Sequence, residues 1–300
     1  MPLRLRLQAA GFLAAGGGMS LERFAREVRR LDRDIDLAQA CLLIAQDPYP
    51  ALDVGRYMDE IERMALRLRA DMPESMDLEE RIVALNEFLY GELGYRGNTR
   101  EYYDPRNSYL NEVLDRRIGI PITLSVLYME LGRRVGLSVD GISFPGHFLV
   151  RVQLRGGLIV LDPFAGGVPQ SEADLRARLK RVIPEGVADD VPVADLPLDQ
   201  FLEPASKRQI LMRLLRNLKA IYRDTDKPER QLEVLNRMLA VTPEAAAELR
   251  DRGQVYQRLE CWQPALKDLT EYLEREPDAS DVDDVRVRMM ELRALCSRMS

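Results

Sequence analysis

Histidine occurs once in 300 residues, at His147, and cysteine only three times, at Cys41, Cys261 and Cys296. One imidazole and three scattered thiols cannot build a zinc site of a common type, and no CxxC pair is present. No metal ligands and no cofactor are therefore expected. A few cysteines, odd in number and far apart, also exclude a disulfide scaffold and point to reduced thiols in a cytoplasmic protein. No apolar run approaches the ~18 residues of a membrane span. A net charge of -6 leaves no general attraction to nucleic acid. The arginines between Arg176 and Arg181 have acids nearby and read as a solvated face.

What is present is a folded composition, 46% hydrophobic and 31% charged. Residues 1–18, with Arg4 and Arg6 ahead of an Ala/Gly-rich stretch, differ from the rest and read as a disordered extension or a mis-assigned start. Ser20 is placed as an N-cap, with Leu21, Phe24, Val28 and Leu31 on one helical face behind it. Further apolar stripes and an Asp77/Glu80 capping box extend a helical subdomain over 19–93. The core, 94–185, opens with a punctuated loop through Gly94, Gly97 and Asp104-Pro105. Pro121 then stands where proline starts a helix, and Gly136 where glycine ends one. Alternation around Phe148, Val150 and Val152, a turn at Arg155-Gly156-Gly157, and the run Leu158–Leu161 predict an antiparallel hairpin. The fold class is α+β.

Residues 186–205 are acidic, contain proline and read as a linker. Beyond it, over 206–300, Leu215, Tyr222, Leu235 and Pro243 recur 34 residues later as Leu249, Tyr256, Leu269 and Pro277. That period and the placement of Gly253 and Ala265 mark tetratricopeptide-like repeats, one helical hairpin per unit. The first unit carries Lys219 and Gln231 in place of the small residues. Residues 281–298 would close the stack.

The hairpin places His147 and Asp162 on the same side, away from its turn, where cross-strand neighbours meet. A helix start facing such a pair is the layout of papain-like and transglutaminase-like enzymes. There, a thiol at the helix N-terminus is activated by a base, which a carboxylate orients. The particular motifs are Asn107-Ser108-Tyr109-Leu110, Gly119-Ile120-Pro121-Ile122-Thr123-Leu124-Ser125, Pro145-Gly146-His147-Phe148 and Leu161-Asp162-Pro163-Phe164. With Gly166-Gly167, Arg250-Asp251-Arg252-Gly253 and Asp268-Leu269, they make the chain resemble the bacterial SirB1 family, whose core is transglutaminase-like, over about 20–298.

In catalytic relatives, the resemblance implies, a Gly-x-Cys opens the long helix about fifteen residues before the glycine that ends it. Counting back from Gly136 lands on Pro121, which has no ionisable group. The pair His147–Asp162 thus reads as the vestige of a triad, and the protein as a pseudoenzyme binding a protein or peptide partner through residues 206–300. The alternative is a hydrolase or acyl-transferase in which His147 and Asp162 work with Thr123, Ser125 or a water. Asn98, Asn107 and Tyr109 are polar loop residues that could line the same cleft with Pro121. Nothing in the sequence sets the oligomeric state.

Overall fold

The computed structural model describes residues 17–182 and 196–297. Residues 1–16 of the expected N-terminal extension and residues 186–195 of the expected linker lie outside them. In chain order, the helices are α1 (Gly17–Val28), α2 (Leu37–Ala45), α3 (Val54–Ala70), α4 (Leu78–Asn86), α5 (Leu110–Arg116), α6 (Pro121–Arg134) and α7 (Glu172–Val182). They continue with α8 (Lys207–Asp224), α9 (Pro228–Val241), α10 (Ala246–Arg258), α11 (Trp262–Arg275) and α12 (Val282–Ser297). The strands are β1 (Arg96–Gly97), β2 (Ile118–Gly119), β3 (Val139–Ile142), β4 (Leu149–Leu154), β5 (Gly157–Asp162) and β6 (Val168–Pro169).

The chain divides into two compact units, one made of residues 32–45 and 52–214, the other of 46–51 with the described parts of 1–31 and 215–300. This differs from the division expected from sequence, in which residues 19–93 stood together. The periodicity of α1 shows that it has an apolar face, but not which partner covers that face.

In the first unit a four-stranded sheet runs in the order β3-β4-β5-β6, antiparallel throughout. β1 and β2 form a short parallel pair. Helix α6 is buried along nearly its whole length, from Pro121 to Gly132. It opens with Pro121 at its first position, and the chain leaves it through Gly136 at φ +83°. The Asp77/Glu80 capping box is formed: Glu80 N–H donates to Asp77 Oδ1 at 2.8 Å, and Asp77 N–H to Glu80 Oε2 at 2.9 Å.

Leu196, Leu198 and Phe201 pack against a core of Ile142, Phe144, Leu149, Leu175, Leu179 and Leu202. Ala205 N–H donates to Gly141 O at 2.8 Å. The described end of the expected linker is therefore core structure, because its alternate apolar residues outweigh its prolines and acids. Asp32 caps α8 from far away in sequence, accepting from Lys207 N–H and Arg208 N–H, each at 3.0 Å.

In the second unit, α9 to α12 stack as consecutive antiparallel neighbours around Leu239, Leu249, Ala265, Leu269, Tyr272, Val285 and Leu292. Five of the six apolar repeat residues are buried, while Tyr256 is half-buried beneath the Arg252 guanidinium. A Cβ on Gly253 would lie 2.9 Å from the Leu269 side chain, so the repeat needs a small residue there. In the first repeat Lys219 escapes this constraint by reaching out to Asp251 Oδ2 at 2.9 Å.

Ser20 is not the N-cap the sequence suggested. It lies inside α1 and accepts a hydrogen bond from Arg237 Nη2 at 2.7 Å. A buried guanidinium in need of acceptors recruits it.

Candidate active site

The chain reaches His147 through a tight turn in which His147 N–H donates to Phe144 O at 3.1 Å. Gly146 makes that turn at φ +67°, a left-handed conformation that L side chains rarely adopt. The expected strand took in His147; in fact β4 starts at Leu149, which leaves His147 outside the ladder. Asp162 ends β5, and its carboxylate caps the following turn, accepting from Phe164 N–H at 3.0 Å and Ala165 N–H at 3.3 Å.

These two elements bring His147 Nε2 within 3.0 Å of Asp162 Oδ1. Arg178 on α7 donates to the other carboxylate oxygen, Oδ2, at 2.6 Å. Burial pushes the Asp162 carboxyl up, but the His147 hydrogen bond and charge, Arg178 and the Phe164 amide outweigh it and leave it below the ordinary carboxylate value. Asp162 is thus an ionised acceptor, and the imidazole donates from Nε2. Nδ1 has no hydrogen-bond partner among the described residues, and the Phe164 ring stands edge-on to the imidazole at 6.0 Å.

Arg178 was not foreseen. Its sequence neighbourhood reads as a solvated face, yet Leu175 and Leu179 are the buried positions of α7, and Arg178 sits between them. The signal was the inward stripe, overlooked beneath the charges around it.

Among the described residues no hydroxyl or thiol is in hydrogen-bond contact with the His147 ring. Pro121 holds the first position of α6. The Thr123 hydroxyl accepts from Ile120 N–H at 3.1 Å and donates to Asn107 O at 2.8 Å, so it is occupied in capping the helix. Ser125 is fully buried, and its hydroxyl has no hydrogen-bond partner among the described residues. The Cys41 thiol is buried and pushed up, by burial first and then by Glu130 and Asp36. Cys261 is also pushed up, by burial and Glu260. A thiol held protonated is a poor nucleophile.

Asn98, Asn107 and Tyr109 are all buried. Asn98 Nδ2 donates to Asn107 Oδ1 at 3.1 Å, and Asn107 Nδ2 to Glu101 O at 2.7 Å. Asn98 N–H donates to Gly119 O at 2.9 Å and Asn107 O accepts from Thr123, so the 98–107 loop is tied to the start of α6.

The depressed carboxyl gives a pH dependence with a definite sign. The unfolded chain binds a proton at Asp162 near pH 3.9, while the folded chain resists it to lower pH. The stabilisation is complete above the unfolded value and is lost as pH falls through the folded one. Urea stability of the wild type should therefore fall from pH 5 to pH 3 more steeply than that of Asp162→Asn. Parallel slopes would contradict the depressed pKa.

A family model described as the transglutaminase-like superfamily matches residues 55–216, and a tetratricopeptide-repeat model matches 218–290. A UPF0162 protein of Xylella fastidiosa is 42% identical over 261 residues, covering 87% of this chain and 91% of that one. A UPF0162 protein of Vibrio cholerae is 30% identical over 82% of this chain and 90% of its own. Protein SirB1 of Salmonella typhimurium is 28% identical over 77% of this chain and 83% of its own. A crystal structure of menin covers 92% of this chain and 74% of that one at 11% identity, with a TM-score of 0.39. A core model spanning over half the chain and relatives at 30% identity or more over most of it agree: the chain belongs to the UPF0162 (SirB1) family, with a transglutaminase-like core followed by tetratricopeptide repeats.

Proposed function

We propose that this protein is a non-catalytic member of its superfamily that binds a protein or peptide partner through its repeats. The observation that carries the reading is the oriented His147–Asp162 pair, with the turn after Asp162 packed against a helix whose first position is proline and whose Thr123 hydroxyl is already committed to capping. Tetratricopeptide repeats generally mediate protein–protein contact, and the exposed side of α11 offers a shallow depression lined by Gln263, Lys267, Thr270, Glu271, Glu274 and Arg275. No helix among the described residues is long and apolar enough to cross a membrane. A partner met at such a polar surface is itself polar or charged.

Two measurements test the halves separately. Iodoacetamide at pH 6 should label none of the three native cysteines rapidly, whereas Pro121→Cys should gain a fast-labelling thiol that His147→Ala slows. A native cysteine that labels fast and depends on His147 would reverse the non-catalytic assignment. For binding, the charge reversal Lys267→Glu should abolish affinity capture of the partner, with melting unchanged. Capture that survives both the charge reversal and His147→Ala would remove the repeats from the binding role.

A further inference from the structure

Helices α3 and α6 pack together, and a cleft of about 310 Å3 lies where both end. Its walls carry Arg69, Arg81, Arg133 and Arg134 against one acid, Glu74. That is a local reversal in a chain with 49 acids and 43 lysines and arginines.

Capping explains only part of this excess. Cations favour helix C-termini, where carbonyls lack partners. Here the backbone already serves most of them. Val135 N–H donates to Leu131 O, Leu137 N–H to Gly132 O, and Gly136 N–H to Arg133 O. At the end of α3, Asp71 N–H serves Leu68 O and Met72 N–H serves Arg69 O. Arg81 adds one such bond, from Nη1 to Val135 O at 2.8 Å, and a second to the loop carbonyl Met76 O, from Nε at 3.1 Å. These clamp its guanidinium in place on the wall of the cleft. Arg134 reaches Glu130 O and pairs with Glu62 and Glu130, and Arg133 shares Glu130 at 3.1 Å. No carboxylate is in ion-pair contact with Arg69 or Arg81 among the described residues.

We propose that this cleft binds a small molecule through an oxyanion group, phosphate or carboxylate. A pre-positioned guanidinium, a second one without an acid, and a third that can turn from Glu130 present forked donors to one volume. The size is at the lower end of the roughly 300–1,000 Å3 of ligand pockets, which suits a compact anion. Glu74 on the rim opposes anions and sets a limit on affinity.

The test is isothermal titration of the full chain with inorganic phosphate and, separately, with citrate, each against chloride at matched ionic strength. Saturable binding of at least one is expected, and the tighter of the two identifies the group. Arg69→Gln and Arg133→Gln, which leave the Arg81 clamp intact, should each weaken it about tenfold, the loss of one charge-assisted contact. Glu74→Gln should tighten it. Heat no larger than that of chloride for both anions, or wild-type affinity in both arginine variants, overturns the proposal.

Discussion

Arg237→Ala is expected to destabilise the repeat unit by about 3–5 kcal/mol, the cost of breaking a buried ion pair. The Arg237 side chain is 1% exposed. It grips Asp47 through two hydrogen bonds of 2.5 Å, reaches Ser20, and lies over the Phe24 ring at 4.9 Å. Alanine would leave the Asp47 carboxylate nearly buried without its guanidinium, while Arg230 stays bound to the Asp47 backbone oxygen. The single tryptophan, Trp262, packs against the repeat core and gives a local fluorescence reading during urea unfolding. Arg237 Nη1 has no hydrogen-bond partner among the described residues, so the pair carries a cost of its own. Arg237→Met with Asp47→Leu should therefore lose much less than Arg237→Ala alone. A single variant within 1 kcal/mol of wild type, on the order of a surface change, would show that the pair is not what holds α1 and residues 46–51 to α9.

Leu269→Ala comes next, at about 2–5 kcal/mol, as a core truncation between α10 and α11. Leu269 is fully buried and lies against Gly253. Gly253→Ala in the wild type would press its Cβ onto the Leu269 side chain. In the Leu269→Ala background that obstacle is gone, and alanine's helix propensity, about 1 kcal/mol better than glycine's, should appear as a gain. The two changes should couple by roughly 1 kcal/mol or more in a double-mutant cycle. Additive effects would mean that the glycine does not owe its place to Leu269. Lys267→Glu, exposed on the same helix, should stay within about ±0.5 kcal/mol.

Local rules carried the sequence reading where neighbours in sequence decide the outcome. Pro121 and Gly136 bound α6 because proline at a helix start and glycine past its end act within one turn. The 34-residue period yielded the repeats because each hairpin meets the next with the same residues. His147 and Asp162 met because a tight hairpin leaves them little freedom. Two misses share a cause. Ser20 and Asp32 each satisfy a group far away in sequence, at Arg237 and Lys207 respectively. A hydroxyl or a carboxylate has no periodicity, so its remote partner leaves no trace in the local pattern. The end of the expected linker was misread for a related reason: Leu196, Leu198, Phe201 and Leu202 fill a core whose other side is built from β3, β4 and α7.

The long reach of these contacts has a consequence for how the protein is made. Asp47 waits for Arg237, 190 residues later, and Asp32 for Lys207, 175 residues later. At about 5–20 residues per second on the ribosome, the first of these gaps takes roughly 10–40 s. Through that interval the apolar face of α1, with Phe24 and Val28, has emerged before the helix that covers it. Each unit thus contains both early and late chain, and neither can close as a finished domain before the other has begun. A ribosome stalled before residue 207 would hold a product with both closures missing, exposed to chaperones and proteases.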